Sequence, residues 1–268
     1  MKNIVHISDL HFGTVENDIA EGIIEDISSL GPDLLIVSGD LTQRARKNQY
    51  RQAKIFLNKL NCRKIIVPGN HDIPLFNLFA RFLRPLTNYK NLITSDLSPY
   101  YQDETITVIG VNTARSLTWK SGRISVEQID ILKQKLCSID KSIFKIIVTH
   151  HPFIPPPGDP GIKLVSRSAR ALKIIDKCSV DLLLAGHLHH GYDGDVRSFY
   201  PSHNSSIISI QAGTAISNRV REDPNAYNFI RADKNEIIIS IREWSGKVFE
   251  ESRLTRYHKD RGQWLKEQ

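Results

Sequence analysis

The chain has 268 residues, a hydrophobic share of 40% and a formal net charge of +7, which suits one large domain with a substantial core and favours an anionic substrate or partner. No apolar run reaches membrane-spanning length, and in the opening "MKNIVHISDL" a charge arrives at Asp9 before a signal-peptide core has room to form. Cys62, Cys137 and Cys178 are odd in number, far apart and without metal-type spacing, which predicts reduced thiols and a cytoplasmic location.

In chain order, short β-branched runs alternate with helical patterns. The strands predicted are "NIVHIS" (3–8), "DLLIVS" (33–38), "KIIV" (64–67), "TITVIGV" (105–111), "KIIVT" (145–149) and "DLLLA" (181–185), each apolar enough to be covered on both faces. Between them Ile19, Ile23, Ile24, Ile27 and Leu30 recur at helical spacing. So do Ile129, Leu132 and Leu136 behind the capping-box pattern "SVEQ" at 125–128. From about residue 193 the pattern becomes all-strand: "DVRSFY", "SIISIQ", "AYNFIRA", "EIIISIRE" and "KVFEES", with "DKN" and "SG" as hairpin turns. The basic end "RLTRYHKDRGQWLK" (253–266) reads as a solvated tail rather than a nucleic-acid patch. The whole is a layered α/β arrangement, expected as a single domain over 1–268 with a helical cap insertion at about 73–104 and a β-rich part from about 193.

Polar residues gather just after the predicted strands, where open α/β sheets collect ligands. They are Asp9 and His11 in "SDLHFG", Asp40 in "SGDLT", Asn70, His71 and Asp72 in "PGNHD", His150 in "VTHHP", and His187 and His189 in "AGHLHHG". Any one of them has an ordinary explanation as a helix cap or loop residue; the set does not. Carboxylate, amide oxygen and imidazole together suit hard or borderline divalent ions. If each of these segments is extended, Asp9 faces the same way as His11, and His187 the same way as His189. Asp40 is suited to bridge two cations, and Asn70 offers an oxygen without charge. Two divalent ions against two carboxylates would leave a surplus of about +2, attractive to hydroxide and phosphate.

In order from residue 9 to 189, these blocks resemble the calcineurin-like metallophosphoesterases, whose pattern is D-x-H, GD, GNH[DE], H and GHxH. "ISDLHFG", "GTAISNR" and "PNAYNFI" are most similar to the bacterial 3',5'-cyclic nucleotide phosphodiesterase branch. The resemblance implies a four-layer αββα sandwich of two mixed β-sheets flanked by helices. It also implies two divalent ions, manganese and/or iron with zinc as an alternative, one held by Asp9, His11, Asp40 and His189 and the other by Asp40, Asn70, His150 and His187. It further implies a metal-bridging hydroxide attacking a phosphodiester in line, as in other two-metal sites. His71 would then protonate the leaving oxygen and Asp72 would fix its tautomer. His190 is left over as an outer or surface residue, and His6, inside the first strand, is expected to be packed in the fold.

Substrate contacts are expected from Asn112 and Arg115 in "VNTARSLTWKSGRIS" and from His151, arginine being suited to bidentate phosphate contact. The preferred partner is a small anionic phosphodiester; nucleic acid is less favoured. A UDP-2,3-diacylglucosamine-type pyrophosphohydrolase and a metal-dependent nuclease are the alternatives. In the interval 73–104, Leu75, Leu78, Phe79, Phe82, Leu83 and Leu86 form an apolar stripe interspersed with Arg81, Arg84 and Lys90. This is expected to be a cap helix packed on the core, the alternative being a lid for an amphiphilic ester.

Overall fold

The computed structural model describes residues 1–203, 205–219 and 223–267. The chain opens with β1 (Lys2–Ile7), α1 (Asn17–Leu30), β2 (Leu34–Val37), α2 (Lys47–Lys59) and β3 (Arg63–Ile66), and its three strands pair in parallel. A 3-10 turn at Asn70–Asp72 leads to two short helices, α3 (Leu78–Leu83) and α4 (Thr87–Leu92). The second sheet is then laid down by β4 (Tyr100–Gln102), β5 (Ile106–Gly110), α5 (Val126–Ser138), β6 (Phe144–Val148), α6 (Ser168–Lys177) and β7 (Leu182–Ala185). It is completed by β8 (Tyr192–Asp195) and β9 (Ile208–Gln211), after which β10 (Ala226–Ala232), β11 (Glu236–Trp244), β12 (Phe249–Asp260) and β13 (Gln263–Lys266) return to the first sheet as an antiparallel meander.

The sheets run β13-β12-β11-β10-β1-β2-β3 and β4-β5-β6-β7-β9-β8. Both mix parallel pairs with antiparallel ones. Alternation along each strand divides its side chains between two cores. In β1, Ile4 faces the layer between the sheets with Ile36, Val108, Ile146 and Leu184, whereas Val5 and Ile7 face α1 and α2 with Ile23, Ile27 and Phe56. On the far side Ile109, Ile147 and Leu183 pack under Leu132 and Leu136 of α5 and Leu172 and Ile175 of α6. Four layers result, helix, sheet, sheet, helix, with every parallel strand of the first sheet ending at the same rim.

Local signals set several boundaries. The Ser125 hydroxyl accepts from Gln128 N at 3.1 Å and the Gln128 side chain accepts from Ser125 N at 2.9 Å, so the capping box starts α5 as expected. Four expectations fail. The run "DVRSFY" is not a strand: β8 stops at Asp195, whose carboxylate accepts from Arg197 N at 2.8 Å and winds 196–198 into a 3-10 turn. The basic end is not a solvated tail, because β12 and β13 form a hairpin there that buries Tyr257 and Trp264 among the inter-sheet residues. Alternation carried that signal, and counting charges hid it.

The apolar stripe of 73–104 also behaves differently. Leu86 and Tyr89 are buried against the α2 side of the core, but Leu78, Phe79, Phe82 and Leu83 stay exposed while Arg81 between them is buried. Finally, Cys137 and Cys178 are disulfide-bonded and only Cys62 is free, which corrects the expectation of three reduced thiols. The two cysteines lie at the ends of α5 and α6, which pack side by side on one sheet, a proximity that 41 residues of separation conceal. The cytoplasmic expectation rested on unpaired thiols and loses that ground.

Candidate metal centre

Strand β1 ends at Ile7, β2 at Val37 and β7 at Ala185, and the chain then turns sharply in each case. Asp9, His11, Asp40, His187 and His189 all adopt positive φ, between 47° and 79°. Left-handed backbone is uncommon outside glycine and tends to collect at functional sites. The residues thus converge for a reason other than the extended alternation expected of them: each follows a tight turn rather than continuing a strand. Two glycines permit the close approach. A Cβ on Gly39, itself at φ +102°, would sit 2.6 Å from His150 Nδ1, and one on Gly186 would sit 1.8 Å from Ser8 Oγ.

The backbone of one motif holds the carboxylate of another. Asp9 Oδ2 accepts from His187 N at 2.8 Å, and Asp40 Oδ1 accepts from His71 N at 2.8 Å. His11 N donates to Asp40 O at 2.9 Å and Asp9 N to Gly39 O at 3.1 Å. Each carboxylate therefore has one oxygen anchored and one left over. Around the free Asp9 Oδ1 stand His11 Nε2 and His189 Nε2, each at 3.5 Å, and His11 Nε2 is 3.8 Å from Asp40 Oδ2. Across Asp40, His150 Nε2 lies 3.4 Å from Oδ1 and 3.1 Å from Asn70 Oδ1. The His187 ring is 5.1 Å from that of His150, whereas the His189 ring stacks 5.0 Å from that of His11. His187 and His189 therefore belong to different sides of the cluster. His190 points away and pairs with Asp223 at the surface.

The fit of this cluster to cations follows from what is unsatisfied. Asp9 Oδ1, Asp40 Oδ2, both ring nitrogens of His11 and His151 Nε2 are buried without a hydrogen-bond partner among the described residues. Buried polar atoms are rarely left so, and these sit in groups whose ligand atoms lie within 4.8 Å of one another: Asp9, His11 and His189; Asp9, Asp40 and His150; His11, Asp40 and His71; His150, His151 and His187. A cation is the partner that satisfies carboxylate oxygen and imidazole nitrogen together.

Protonation agrees with that reading. Burial alone would raise the Asp9 carboxyl, but His189 and His11 hold it well below the usual range, and His150 and His71 do the same for Asp40. His187 is lowered to about 4 by burial and by His150, and His189 is also lowered by burial, so both present lone pairs at neutral pH. Burial opposes charge on His150, yet Asp40 raises it to about 9, a proton that a bound cation must displace.

In three of these rings one nitrogen is held from behind, which fixes the ring's orientation. His150 Nδ1 meets Ser38 O at 2.7 Å, His189 Nδ1 meets Thr214 Oγ1 at 2.6 Å and His151 Nδ1 meets Thr113 Oγ1 at 2.7 Å. His6 is packed as expected, 2.9 Å from Ser38 Oγ and within reach of Asn228, with its pKa lowered to about 3 by burial.

The expected roles of the remaining residues need revision. Asp72 does not reach the His71 ring. Its carboxylate accepts from Leu41 N, Thr42 N, Thr42 Oγ1 and Gly69 N, all within 3.1 Å, and so ties two of the motif loops together. The atom that meets His71 Nδ1, at 3.0 Å, is the Gln43 carbonyl. Arg115 spends its guanidinium on the Asn112 and Ala114 carbonyls and on Gln128, and with Asn112, Arg84 and Lys90 it lines a separate cavity of about 340 Å³. His151, by contrast, offers a ring nitrogen within 4.8 Å of ligand atoms of His150 and His187.

One cation at the rim was not foreseen. Arg219 Nη1 donates to Gln43 Oε1 at 3.2 Å and lies 3.0 Å from His71 Nε2. It is carried by the "GTAISNR" segment, which Ala215 N→Ser8 O and Asn218 N→Thr14 O bonds pin to the first motif loop. That segment also supplies Thr214 behind His189. Its position after a buried strand was the available signal; the arginine itself carried none.

Comparison with known proteins agrees with this geometry. Residues 2–191 match the family described as Calcineurin-like phosphoesterase. The chain is 26% identical over 197 residues to a probable cyclic nucleotide phosphodiesterase of Ruthia magnifica subsp. Calyptogena magnifica, covering 70% of this chain and 78% of that one. It is 27% identical over 203 residues to a cAMP/cGMP dual specificity phosphodiesterase of Mycobacterium tuberculosis (strain CDC 1551 / Oshkosh), covering 70% and 61% respectively. A purple acid phosphatase from yellow lupin shares the fold, with a TM-score of 0.70 at 14% identity over 97% of this chain and 54% of the other.

Proposed function

The chain belongs to the calcineurin-like phosphoesterase family and is a phosphoric ester hydrolase, and from that premise we propose that it is a dinuclear metal-dependent 3',5'-cyclic nucleotide phosphodiesterase. The observation that carries the metal part is the convergence of unsatisfied Asp9, Asp40 and His11 atoms at one rim. The relatives named for cyclic nucleotides support the substrate part.

One cation is assigned to Asp9, His11, Asp40 and His189, and a second to Asp40, Asn70, His150 and His187. Manganese or iron fits this oxygen and imidazole set, with zinc as the alternative. Bound there, the pair would lower the pKa of water and polarise the phosphoryl oxygens. The chain does the rest. Two carboxylates leave the site short of negative charge, so a phosphodiester anion is drawn to it. Arg219 offers N–H donors at the rim, and a phosphate oxygen competes with His71 Nε2 for them. With Nδ1 donating to the Gln43 carbonyl, Nε2 is the free nitrogen of the neutral ring, so His71 serves as the acid toward the leaving oxygen only as the imidazolium, after Nε2 takes a proton from water once Arg219 turns to the phosphate. His151 Nε2 is buried and unpartnered among the described residues, and His151 groups with His150 and His187.

Phosphorus NMR of the manganese-loaded protein with cyclic AMP, UDP-diacylglucosamine, a short DNA and a phosphomonoester tests the reading. Selective loss of the cyclic AMP resonance is the expected result. Cleavage of the sugar-lipid pyrophosphate or of DNA with cyclic AMP intact would replace the substrate while leaving the metal assignment standing.

A further inference from the structure

The most unusual surface feature is the segment between the Asn70–Asp72 turn and β4, together with the loop 111–122. A short helix normally buries its apolar residues and exposes its charges. In α3 the order is inverted. Phe79 and Leu83 are 69% and 65% exposed, Phe76 just before the helix is 78% exposed, and Arg81 in the middle is 1% exposed.

The buried Arg81 explains how the inversion is held. Its Nε donates to Ser116 O at 2.8 Å, Nη1 to Pro74 O at 3.1 Å and Nη2 to Thr118 O at 3.2 Å, and its guanidinium lies 4.3 Å from the centre of the Trp119 ring. The arginine thus fastens α3 to the 111–122 loop. Leu117 and Trp119 on that loop are 80% and 52% exposed. Arg81, bonded to Ser116 O and Thr118 O and stacked on Trp119, sets them next to α3 with its exposed Phe79, Phe82 and Leu83 as one apolar ridge, while Phe76 lies against the Arg44 guanidinium. Contiguous exposed apolar surface of this kind marks an interaction site.

Charge selects the partner. The stretches 73–95 and 111–126 contain no Asp or Glu and six basic residues, Arg81, Arg84, Lys90, Arg115, Lys120 and Arg123. Arg84, Lys90, Lys120 and Arg123 are exposed. Aromatic residues rimmed by Lys and Arg are the composition of segments that lie in a membrane interface, and basic residues near a surface are attracted to anionic lipid. A second copy is disfavoured, because a two-fold contact through this ridge would set its basic rim against an identical one. We propose that the ridge formed by α3 and the 111–122 loop docks on an anionic lipid bilayer. Both supports of the ridge run directly into the metal rim, at Asp72 on one side and at Thr113 against His151 on the other. Docking therefore holds the hydrolytic site next to the membrane surface.

The test is cosedimentation of the whole protein with vesicles of phosphatidylglycerol and phosphatidylcholine, compared with phosphatidylcholine alone. The wild type should pellet with the anionic vesicles and release as salt rises. A Phe79→Ser, Phe82→Ser double variant should partition at least about tenfold more weakly, with unchanged circular dichroism and unchanged hydrolysis of bis(p-nitrophenyl) phosphate. An Arg84→Glu, Lys120→Glu variant should lose the preference for anionic lipid. Equal binding to both vesicle types, no binding, or full binding by the Phe79, Phe82 variant would overturn the proposal. So would light scattering that shows a wild-type dimer dissociated by that variant, since the ridge would then be covered by a second copy. Vesicle binding needs no turnover, so it stands or falls separately from the cyclic nucleotide reading.

Discussion

Strand β7 has an acid at each end of its neighbourhood, and the two are treated in opposite ways. At its start Asp181, 1% exposed, accepts from Lys145 N at 3.0 Å and pairs with Lys234 Nζ at 2.7 Å and Lys259 Nζ at 2.5 Å. These contacts join the second sheet to the β10–β13 meander of the first. Just past its other end, His187 and Gly186 abut Asp9, which keeps one buried oxygen without a hydrogen-bond partner among the described residues. The first end is a finished salt-bridge network; the second is an unfinished one. A fold that satisfies one buried acid with two lysines, yet leaves others facing imidazoles, has reserved the second place for cations from outside.

The largest effect that would break this contrast is at Asp40. Asp40→Asn should reduce bound manganese from two equivalents to fewer than one and lower hydrolysis at least about a hundredfold, measured by elemental analysis and turnover. Next, His71→Ala should retain both equivalents and lose activity about a hundredfold on substrates with poor leaving groups, much less on nitrophenyl esters; equal losses on both would remove its acid role. At the finished end, Asp181→Ala should cost about 2 kcal/mol in urea unfolding, reduced from the full value for a buried pair because both lysines can reach water, while metal content stays at wild-type level.

Smaller effects sharpen the picture. Thr214→Val removes the group behind His189 and should weaken manganese binding about tenfold by titration calorimetry. The subtlest test concerns His6, whose folded pKa of about 3 lies below its unfolded value near 6.5. Its contribution is fully present above pH 6.5 and is lost as pH falls from there toward 3, at about 1.4 kcal/mol per pH unit. His6→Gln should flatten the stability profile over that range by about one proton, and an unchanged slope would mean that His6 does not stay neutral in the fold.

Much of the fold was legible in the sequence because strands covered on both faces leave unbroken apolar runs, as in "DLLIVS" and "DLLLA". The β12–β13 hairpin was not, since edge strands alternate with charges and resemble a tail. The candidate ligands stood out through residue type at strand ends, even though Asp9, His11, Asp40, His187 and His189 converge through left-handed turns that the sequence did not disclose. Arg219, Thr214 and Gln43 were hidden because their parts depend on which loops touch. Asp72 was misread for the same reason: adjacency to His71 suggested a contact that the turn directs elsewhere. The pairing of Cys137 with Cys178 likewise needed the packing of α5 on α6.

The most direct test of the central claim is the number of manganese ions retained per chain after exhaustive dialysis, measured with the unfolding temperature. The account predicts two ions in the wild type with a higher unfolding temperature than the metal-free protein, and fewer than one in Asp40→Asn. A wild type that keeps none, or an Asp40→Asn variant that keeps two, would contradict it.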